Sequence, residues 1–374
     1  MFEVTRTMGL NVHIYPSTLI NASRIGRLAR SIQDTGLFAE THAVGICSGN
    51  LAAVEKLSPR VKIVRIRGTL RKGILGRILK LLLWQPRVYE AYKRQNVAVL
   101  AAHNVWVLPL VYKLSRKTGA IFAYNAHELE TETINLKGVR RRVAKFIERR
   151  YIKHIDIVSV VNESIADWYE LAYRIQRPIV VTNTPIDDGR DSDIRGELGL
   201  SQHDMLYIHT GNLVAGRNIP LILTRFAENP NVHVVFLGDG PLRSSILSTA
   251  ERYSNIHWLP PVAPNSVVSY VRGADVGLCL IEHVSLSDKF STPNKLMEPL
   301  AAGIPVLSSD LVEARRLLGN KAGTWVINTP EHELGDALQR LGKEDVRCFQ
   351  EDWRGIPSWE TQVEPLVVAY REVV

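Results

Sequence analysis

Ser291-Thr-Pro-Asn-Lys-Leu-Met-Glu298, continued by Pro-Leu-Ala-Ala-Gly303-Ile-Pro305-Val306, reads as a turn, a short helix, a glycine stop and a buried strand. Pro293 stands at the helix start, where a missing N–H forfeits no internal hydrogen bond. The free N–H groups of that first turn and the helix dipole form a site for an anion, with a phosphate the usual guest. Lys295 adds a point charge. Glu298 follows one turn further along the same face, where an acid suits a sugar hydroxyl beside a phosphate rather than the phosphate itself. The stretch therefore points to a nucleotide with a ribose. The competing reading is an ordinary capped helix–strand unit with solvated charges.

Outward from this stretch the chain alternates strand and helix twice over. In the first half, strands are expected at Asn11–Tyr15, His42–Ile46, Lys62–Ile66, Val97–Ala101, Ile121–Asn125, Ile157–Val161 and Ile179–Thr182. Helices are expected at Arg24–Thr35, Val105–Arg116, Gly138–Ile152 and Glu163–Leu171, the last capped by Asn162. The polar run Asp187–Gly196 reads as a linker. The second half repeats the pattern, with strands at Met205–Thr210, His233–Leu237, Ile256–Leu259, Val276–Leu280, Val306–Ser308 and Thr324–Ile327. Short apolar strands separated by helices predict parallel sheets covered on both faces, one sheet in each half. Two such sheets leave a cleft between them, and ligands bind at the carboxyl ends of the strands.

The 374 residues suit two domains better than one. Charge divides the same way: residues 1–185 carry 29 Lys+Arg against 13 Asp+Glu, and the remainder 17 against 25. Such a split predicts different partners for the two halves. The densest basic segment spans residues 71–84, where Gly73–Trp84 reads as a helix with Ile74, Leu75, Ile78, Leu79, Leu82 and Leu83 on one side. Lys72, Arg77 and Lys80 flank that side and Trp84 ends it, as in a helix lying in an anionic bilayer surface. A core-facing amphipathic helix is the alternative. A second basic cluster, Lys137 to Lys153, extends the same surface. Nucleic acid is not expected as a partner, because no aromatic stacking platform accompanies the basic residues. Cys47, Cys279 and Cys348 are too few and too widely spaced for a disulfide framework or a zinc site. The N-terminus shows no cleavable signal and no run is long enough to span a bilayer, so the expected location is the cytoplasm, peripheral on the inner face of the cell membrane.

Two more loops of the second half follow predicted strands. Gly211-Asn212-Leu-Val-Ala-Gly216-Arg217 follows Tyr207–Thr210, with Arg217 placed to bind an anion bidentately. Gly238-Asp239-Gly240-Pro241 follows His233–Leu237 as a glycine turn with proline in the first helical turn. Each alone is also what a tight strand–helix connection looks like; their order along one half is the stronger signal.

That order resembles the retaining glycosyltransferases of the large group 1 family (glycosyltransferase family 4), whose GT-B architecture has two Rossmann-like α/β domains facing across a cleft. The likeness spans most of the chain. In such enzymes the second domain binds a nucleotide-sugar donor through a loop like Gly211…Arg217, a G-[DE]-G-P turn like Gly238–Pro241 and an N-K-L-x-E segment like Asn294–Glu298. His103-Asn104 resembles the family's A-H-[DN] strand end, and Tyr124-Asn-Ala-His127-Glu128-Leu-Glu130 its Y-D-x-H-E-L segment. Trp359-Glu360 with Tyr370 resembles its C-terminal helix, which crosses back onto the first domain. The implied domains are residues 1–184 with helix 358–374 for the acceptor, and 185–357 for the donor.

The resemblance implies transfer of a sugar from a UDP or GDP sugar to an acceptor hydroxyl with retained configuration, without metal or other cofactor. The implied donor-binding residues are Gly211, Asn212, Arg217, Gly238, Asp239, Gly240, Pro241, Ser291, Thr292, Asn294, Lys295 and Glu298. Arg217, Lys295 and helix N-termini would neutralise the departing diphosphate, and Glu298 would hold the ribose. His127 is the catalytic candidate, near the reacting sugar, and Ser17, His103 and Glu128 are expected on the acceptor side. Two positions depart from the family pattern. Phe290 replaces the first glutamate of E-x7-E, and Pro16–Arg24 contains no glycine where a Gly-rich loop is usual. A glycan or lipid-linked acceptor fits the basic first half, as in assembly of a surface polysaccharide. A sugar-nucleotide 2-epimerase of the same architecture and a degenerate non-catalytic binding protein are the alternatives.

Overall fold

The computed structural model describes residues 8–20, 23–47, 49–68, 73–134 and 136–374, with the backbone alone for residues 23 and 73–81. The chain divides into two compact units, Met1–Thr182 with Glu360–Val374, and Asn183–Trp359.

In the first unit β1 (Leu10–Ile14) leads through helix α1 (Ser23–Asp34) to β2 (Thr41–Cys47), β3 (Val54–Ser58) and β4 (Val61–Arg67). Helix α2 (Gly73–Tyr92) precedes β5 (Val97–Ala102), and α3 (Leu108–Thr118) precedes β6 (Ile121–Asn125). Helix α4 (Gly138–Tyr151), β7 (Ile157–Val160), α5 (Glu163–Tyr173) and β8 (Ile179–Val180) follow. The strands lie in the order β3-β4-β2-β1-β5-β6-β7-β8. β5 shows why this sheet is buried on both sides: Val97, Val99, Leu100, Ala101 and Ala102 are all inaccessible, a continuous apolar run rather than an alternating one.

Three expectations are corrected here. The sheet is not wholly parallel, because β3 runs antiparallel to β4. Only Pro59 and Arg60 join these two strands, whereas a parallel crossover needs about a dozen residues. Helix α2 does not stop at Trp84 but continues through Pro86 to Tyr92. Trp84 is fully buried, its indole donating to the Gly45 carbonyl at 3.1 Å, so this ring faces the core and not a bilayer. Of the rest of the basic amphipathic segment, residues 71–72 lie outside the described residues and 73–81 outside the described side chains; Leu82 and Leu83 are exposed. Finally, Val105–Val107 forms a tight 3-10 turn ahead of α3, closed by the Asn104 side chain accepting from the Trp106 N–H at 3.1 Å.

The second unit opens with α6 (Ile194–Leu198), so the expected linker already turns helical at its end, where the Asp193 side chain accepts from the Gly196 N–H at 2.9 Å. Then come β9 (Met205–Thr210), α7 (Ile219–Glu228), β10 (Val232–Leu237), α8 (Arg243–Ala250), β11 (Ile256–Leu259), α9 (Val267–Arg272) and β12 (Val276–Cys279). Helices α10 (Leu286–Lys289) and α11 (Asn294–Ala302), β13 (Val306–Ser309), α12 (Val312–Leu318), α13 (Ala322–Trp325) and β14 (Val326–Ile327) follow. Helices α14 (Pro330–Arg340) and α15 (Lys343–Asp352) close the unit. The order β11-β10-β9-β12-β13-β14 is parallel throughout. The last helix, α16 (Trp359–Val373), packs on the first unit, where the Tyr370 ring meets Phe38 edge-on at 6.2 Å.

Among the parallel strands of each sheet there is one place where the chain order reverses. In the first unit β1 lies between β2 and β5; in the second β9 lies between β10 and β12. The helices leaving such a pair depart to opposite faces, which opens a crevice at the carboxyl ends of the strands. Two clusters of polar side chains sit at these two points.

Candidate active site

In the second unit the cluster centres on Thr210, the last residue of β9. Helix α11 begins after Pro293, which caps it without a side-chain hydrogen bond, and ends at Gly303 in the left-handed conformation (φ 78°). The Lys295 ammonium, in the first turn, donates to the Thr210 carbonyl, and the Glu298 carboxylate accepts the Thr210 hydroxyl at 2.5 Å. Both side chains are buried. The reading of them as solvated charges on an ordinary helix is thereby excluded. Burial lowers the Lys295 pKa to about 8 despite the neighbouring Glu298, and burial raises that of Glu298 despite the Thr210 hydroxyl and Lys295. A cation held out of water without a full counter-charge favours any anion that reaches it.

Helix α11 sits this deep because of Gly277 in β12. A Cβ at that position would lie 2.1 Å from Cγ of Pro299, so only glycine lets the helix lie against the strand. The two glycine loops are fitted together in the same way. A Cβ on Gly238 would lie 2.0 Å from the Gly211 carbonyl oxygen, and one on Gly240 would lie 2.4 Å from that of Leu213. The Leu213 N–H donates to the Asp239 carbonyl at 2.9 Å, and the Leu242 N–H to the Leu213 carbonyl at 3.0 Å. Asp239 turns its carboxylate back onto the Gly240 N–H at 2.9 Å.

Arg217 is half-buried, one N–H donating to the Gly216 carbonyl at 3.3 Å. Its charge, with that of Lys295, helps burial hold the His209 imidazole neutral. His209 was not singled out from the sequence. It is wholly buried, and neither ring nitrogen meets a partner among the described residues. Gly211 and Asn212 are exposed beside it in sequence, at the mouth of the loop. Pro241 opens the turn before α8. Ser291 and Thr292 are half-buried and Asn294 exposed, all just before or at the start of α11. The Ser291 hydroxyl donates to the Asp288 carbonyl at 2.7 Å, and Phe290 ends α10 with its N–H on the Leu286 carbonyl at 3.1 Å.

In the first unit the cluster is a file of histidines across β1, β5 and β6. His13 Nδ1 lies 2.7 Å from His103 Nε2, and His103 Nδ1 lies 2.8 Å from His127 Nε2. Strand order brings them near: β5 lies between β1 and β6, His13 pairs with Ala101 and Ala101 with Ala123, so His103 stands two residues past the partner of His13 and His127 two residues past that of His103. His13 and His103 are buried, and His127 is half-buried with Tyr15 stacked on it at 6.2 Å. Burial lowers all three pKa values, that of His13 to about 4, and the charge of Arg24 lowers those of His103 and His127 further. His13 was not singled out from the sequence, although histidine at an otherwise apolar strand position was a signal.

The other candidates of this unit lie nearby in different roles. Ser17 is in the turn after β1, where its carbonyl accepts the Ile46 N–H at 2.7 Å and its hydroxyl the Leu19 N–H at 3.2 Å. Glu128 is exposed next to His127. Glu130 is buried and accepts the Val105 N–H at 2.7 Å, so it fastens the turn after β5. Among the described residues no three His, Cys, Asp or Glu side chains gather as a metal site requires.

Residues 207–344, from β9 to the start of α15, match the family model described as "Glycosyl transferases group 1". The second unit is a group 1 glycosyltransferase domain. No curated protein matches the chain. Among solved structures, sucrose-phosphate synthase from Thermosynechococcus elongatus aligns with a TM-score of 0.73 at 14% identity, over 97% of this chain and 98% of that one. Anabaena Alr3699/HepE in complex with UDP and glucose aligns with a TM-score of 0.66 at 12% identity, over 97% of both chains. WaaG, a glycosyltransferase involved in lipopolysaccharide biosynthesis, aligns with a TM-score of 0.63 at 14% identity, over 96% of this chain and 98% of that one. At such identities the likeness is one of fold, and it is the GT-B fold of two Rossmann-like domains.

Proposed function

We propose that this glycosyltransferase moves a sugar from a nucleoside diphosphate sugar to an acceptor hydroxyl with retention of configuration. The observation that carries this reading is the seating of Lys295 and Glu298 on Thr210. It puts a buried ammonium, a helix N-terminus and a carboxylate side by side at the switch point of the second sheet. The ammonium, Arg217 and the free N–H groups of α11 neutralise the diphosphate as its bond to the sugar breaks. Glu298 keeps one oxygen for the ribose hydroxyls. UDP is the proposed nucleotide, in keeping with the UDP held by the Anabaena protein of like fold.

His127 is the proposed contact to the sugar. A general base works best with a pKa near the working pH, and burial keeps that of His127 far below neutrality. The departing phosphate is then the acceptor for the proton of the incoming hydroxyl. Deprotonation and departure on one face of the sugar fit retention.

The acceptor we propose is carried on a membrane lipid. Helix α4 supports this: Val139, Val143 and Phe146 are exposed on it, among Arg140, Arg142, Arg149 and Arg150. Exposed apolar side chains flanked by arginines suit an anionic bilayer surface, and Lys137 and Lys153 lengthen the basic rim. The enzyme is thus proposed to work as a peripheral protein on the cytoplasmic leaflet.

A panel of UDP and GDP sugars in a hydrolysis assay, which needs no acceptor, tests the proposal. Release of free sugar in the α configuration from one α-linked donor is the expected result. No nucleotide binding by calorimetry to any of them, or epimerised nucleotide product, would overturn it.

A further inference from the structure

The histidine file has a direction. Asn125, at the end of β6, lies with Nδ2 3.5 Å from His103 Nε2, and its Oδ1 accepts the hydroxyl of Ser159 on β7. At the other end Asn11 Nδ2 lies 2.9 Å from His13 Nε2. Two proton arrangements satisfy the ring-to-ring contacts. In the first, the Asn11 amide donates to His13, the Asn125 N–H makes a long contact to the His103 lone pair that His13 already fills, and every histidine carries its proton on Nδ1. In the second, every proton sits on Nε2 and both amides are turned over.

The ends of the file decide between them. The first arrangement leaves bare one acceptor, Oδ1 of Asn11, and one hydroxyl, that of Tyr370 beside Asn125. The second would leave the Asn11 NH2 group buried without an acceptor and would make Ser159 accept from Asn125, stranding the serine proton. A bare buried donor costs more than an under-used carbonyl, which retains a second lone pair in any case. All of these groups are out of water: Asn11, His13, His103, Asn125 and Ser159 are each buried.

We propose that Asn11, Asn125 and Ser159, acting through His13 and His103, hold His127 as the neutral tautomer with its proton on Nδ1. The single lone pair of His127, on Nε2, is committed to the His103 N–H. What His127 presents at its half-exposed face is therefore a hydrogen-bond donor for a substrate oxygen, a sugar hydroxyl on the proposed function. His13, His103, Asn11 and Asn125 are positioning residues for that donor. The positive charge of Arg24 and the depth of the file act in the same sense by resisting an imidazolium. Which oxygen is met rests on the transferase reading; the tautomer is a property of the free protein and does not.

The test is side-chain nitrogen–proton correlation NMR on protein labelled with 15N-histidine, with His127→Gln to assign the signal. His127 should show a protonated Nδ1 and a bare Nε2, unchanged between about pH 8 and pH 5. A protonated Nε2, or titration near the ordinary histidine pKa of about 6.5, overturns the proposal. His103→Gln supplies both an acceptor for His13 and a donor for His127, so it should retain the tautomer. His103→Phe cannot, and should let His127 exchange between both forms, with turnover on a nucleotide sugar falling about tenfold below that of His103→Gln, the loss expected for one neutral hydrogen bond. Equal spectra for the two variants would also overturn it; if neither folds, the spectrum of the unmodified protein decides. The stated tautomer without turnover of any nucleotide sugar would leave the file standing and remove the transferase reading.

Discussion

The Glu298 carboxylate accepts the Thr210 hydroxyl at 2.5 Å, joining helix α11 to the end of β9 across 88 residues of chain. One carboxylate oxygen is thereby fixed on Thr210. Glu298→Ala should weaken UDP binding about tenfold, the loss of one charged hydrogen bond to a ribose hydroxyl. Inhibition by inorganic pyrophosphate, which has no ribose, should be unchanged. Titration calorimetry with both ligands checks this, and equal losses for the two would place Glu298 on the phosphates instead.

Lys295 gives the donor site a pH dependence. Burial holds its pKa down at about 8, so the ammonium is charged below that value and neutral above it. UDP affinity should therefore be flat up to about pH 7.5 and fall on the order of tenfold by about pH 9. Lys295→Met should bind weakly with no such step. A step that persists in the variant would assign it to another group.

Gly277→Ala should unfold the second unit more readily. The added methyl meets the Pro299 ring, which cannot rotate away, and overpacking of this kind costs about 1–3 kcal/mol. Chemical denaturation of Gly277→Ala against Gly277→Ala/Pro299→Ala measures it. Restoration in the double variant is expected, because alanine at 299 vacates the space the methyl enters.

Helix α4 should hold the protein on anionic bilayers. Phe146→Glu with Arg142→Glu should release it from vesicles containing phosphatidylglycerol in a sedimentation assay. Raising salt should release the unmodified protein in part, since each lysine or arginine near such a surface contributes only about 1 kcal/mol. Sedimentation indifferent to both changes would remove the membrane from the proposal.

Much of the architecture is legible locally. Apolar runs broken by glycine and proline place β9, β10 and β12, and the span of α11 follows from Pro293 before it and Gly303 after it. Helix α10 and strand β3 are not legible, because elements of four and five residues with mixed polarity carry no period to count. The role of Glu130 is equally hidden: it follows the motif His127-Glu128-Leu129, yet fastens the Val105 N–H of another loop.

The sequence by itself determined where helix α11 begins and ends, that both halves build largely parallel sheets, and which loops carry glycine at strand ends. Capping, periodicity and backbone freedom act over a few residues, so a linear reading reaches them. The tertiary structure alone decided that Lys295 and Glu298 are buried against Thr210 rather than solvated, that Trp84 faces the core, and that His13, His103 and His127 touch. Those contacts depend on strand order in the sheet, which brings together residues some 24 to 90 positions apart, and burial then sets their charge.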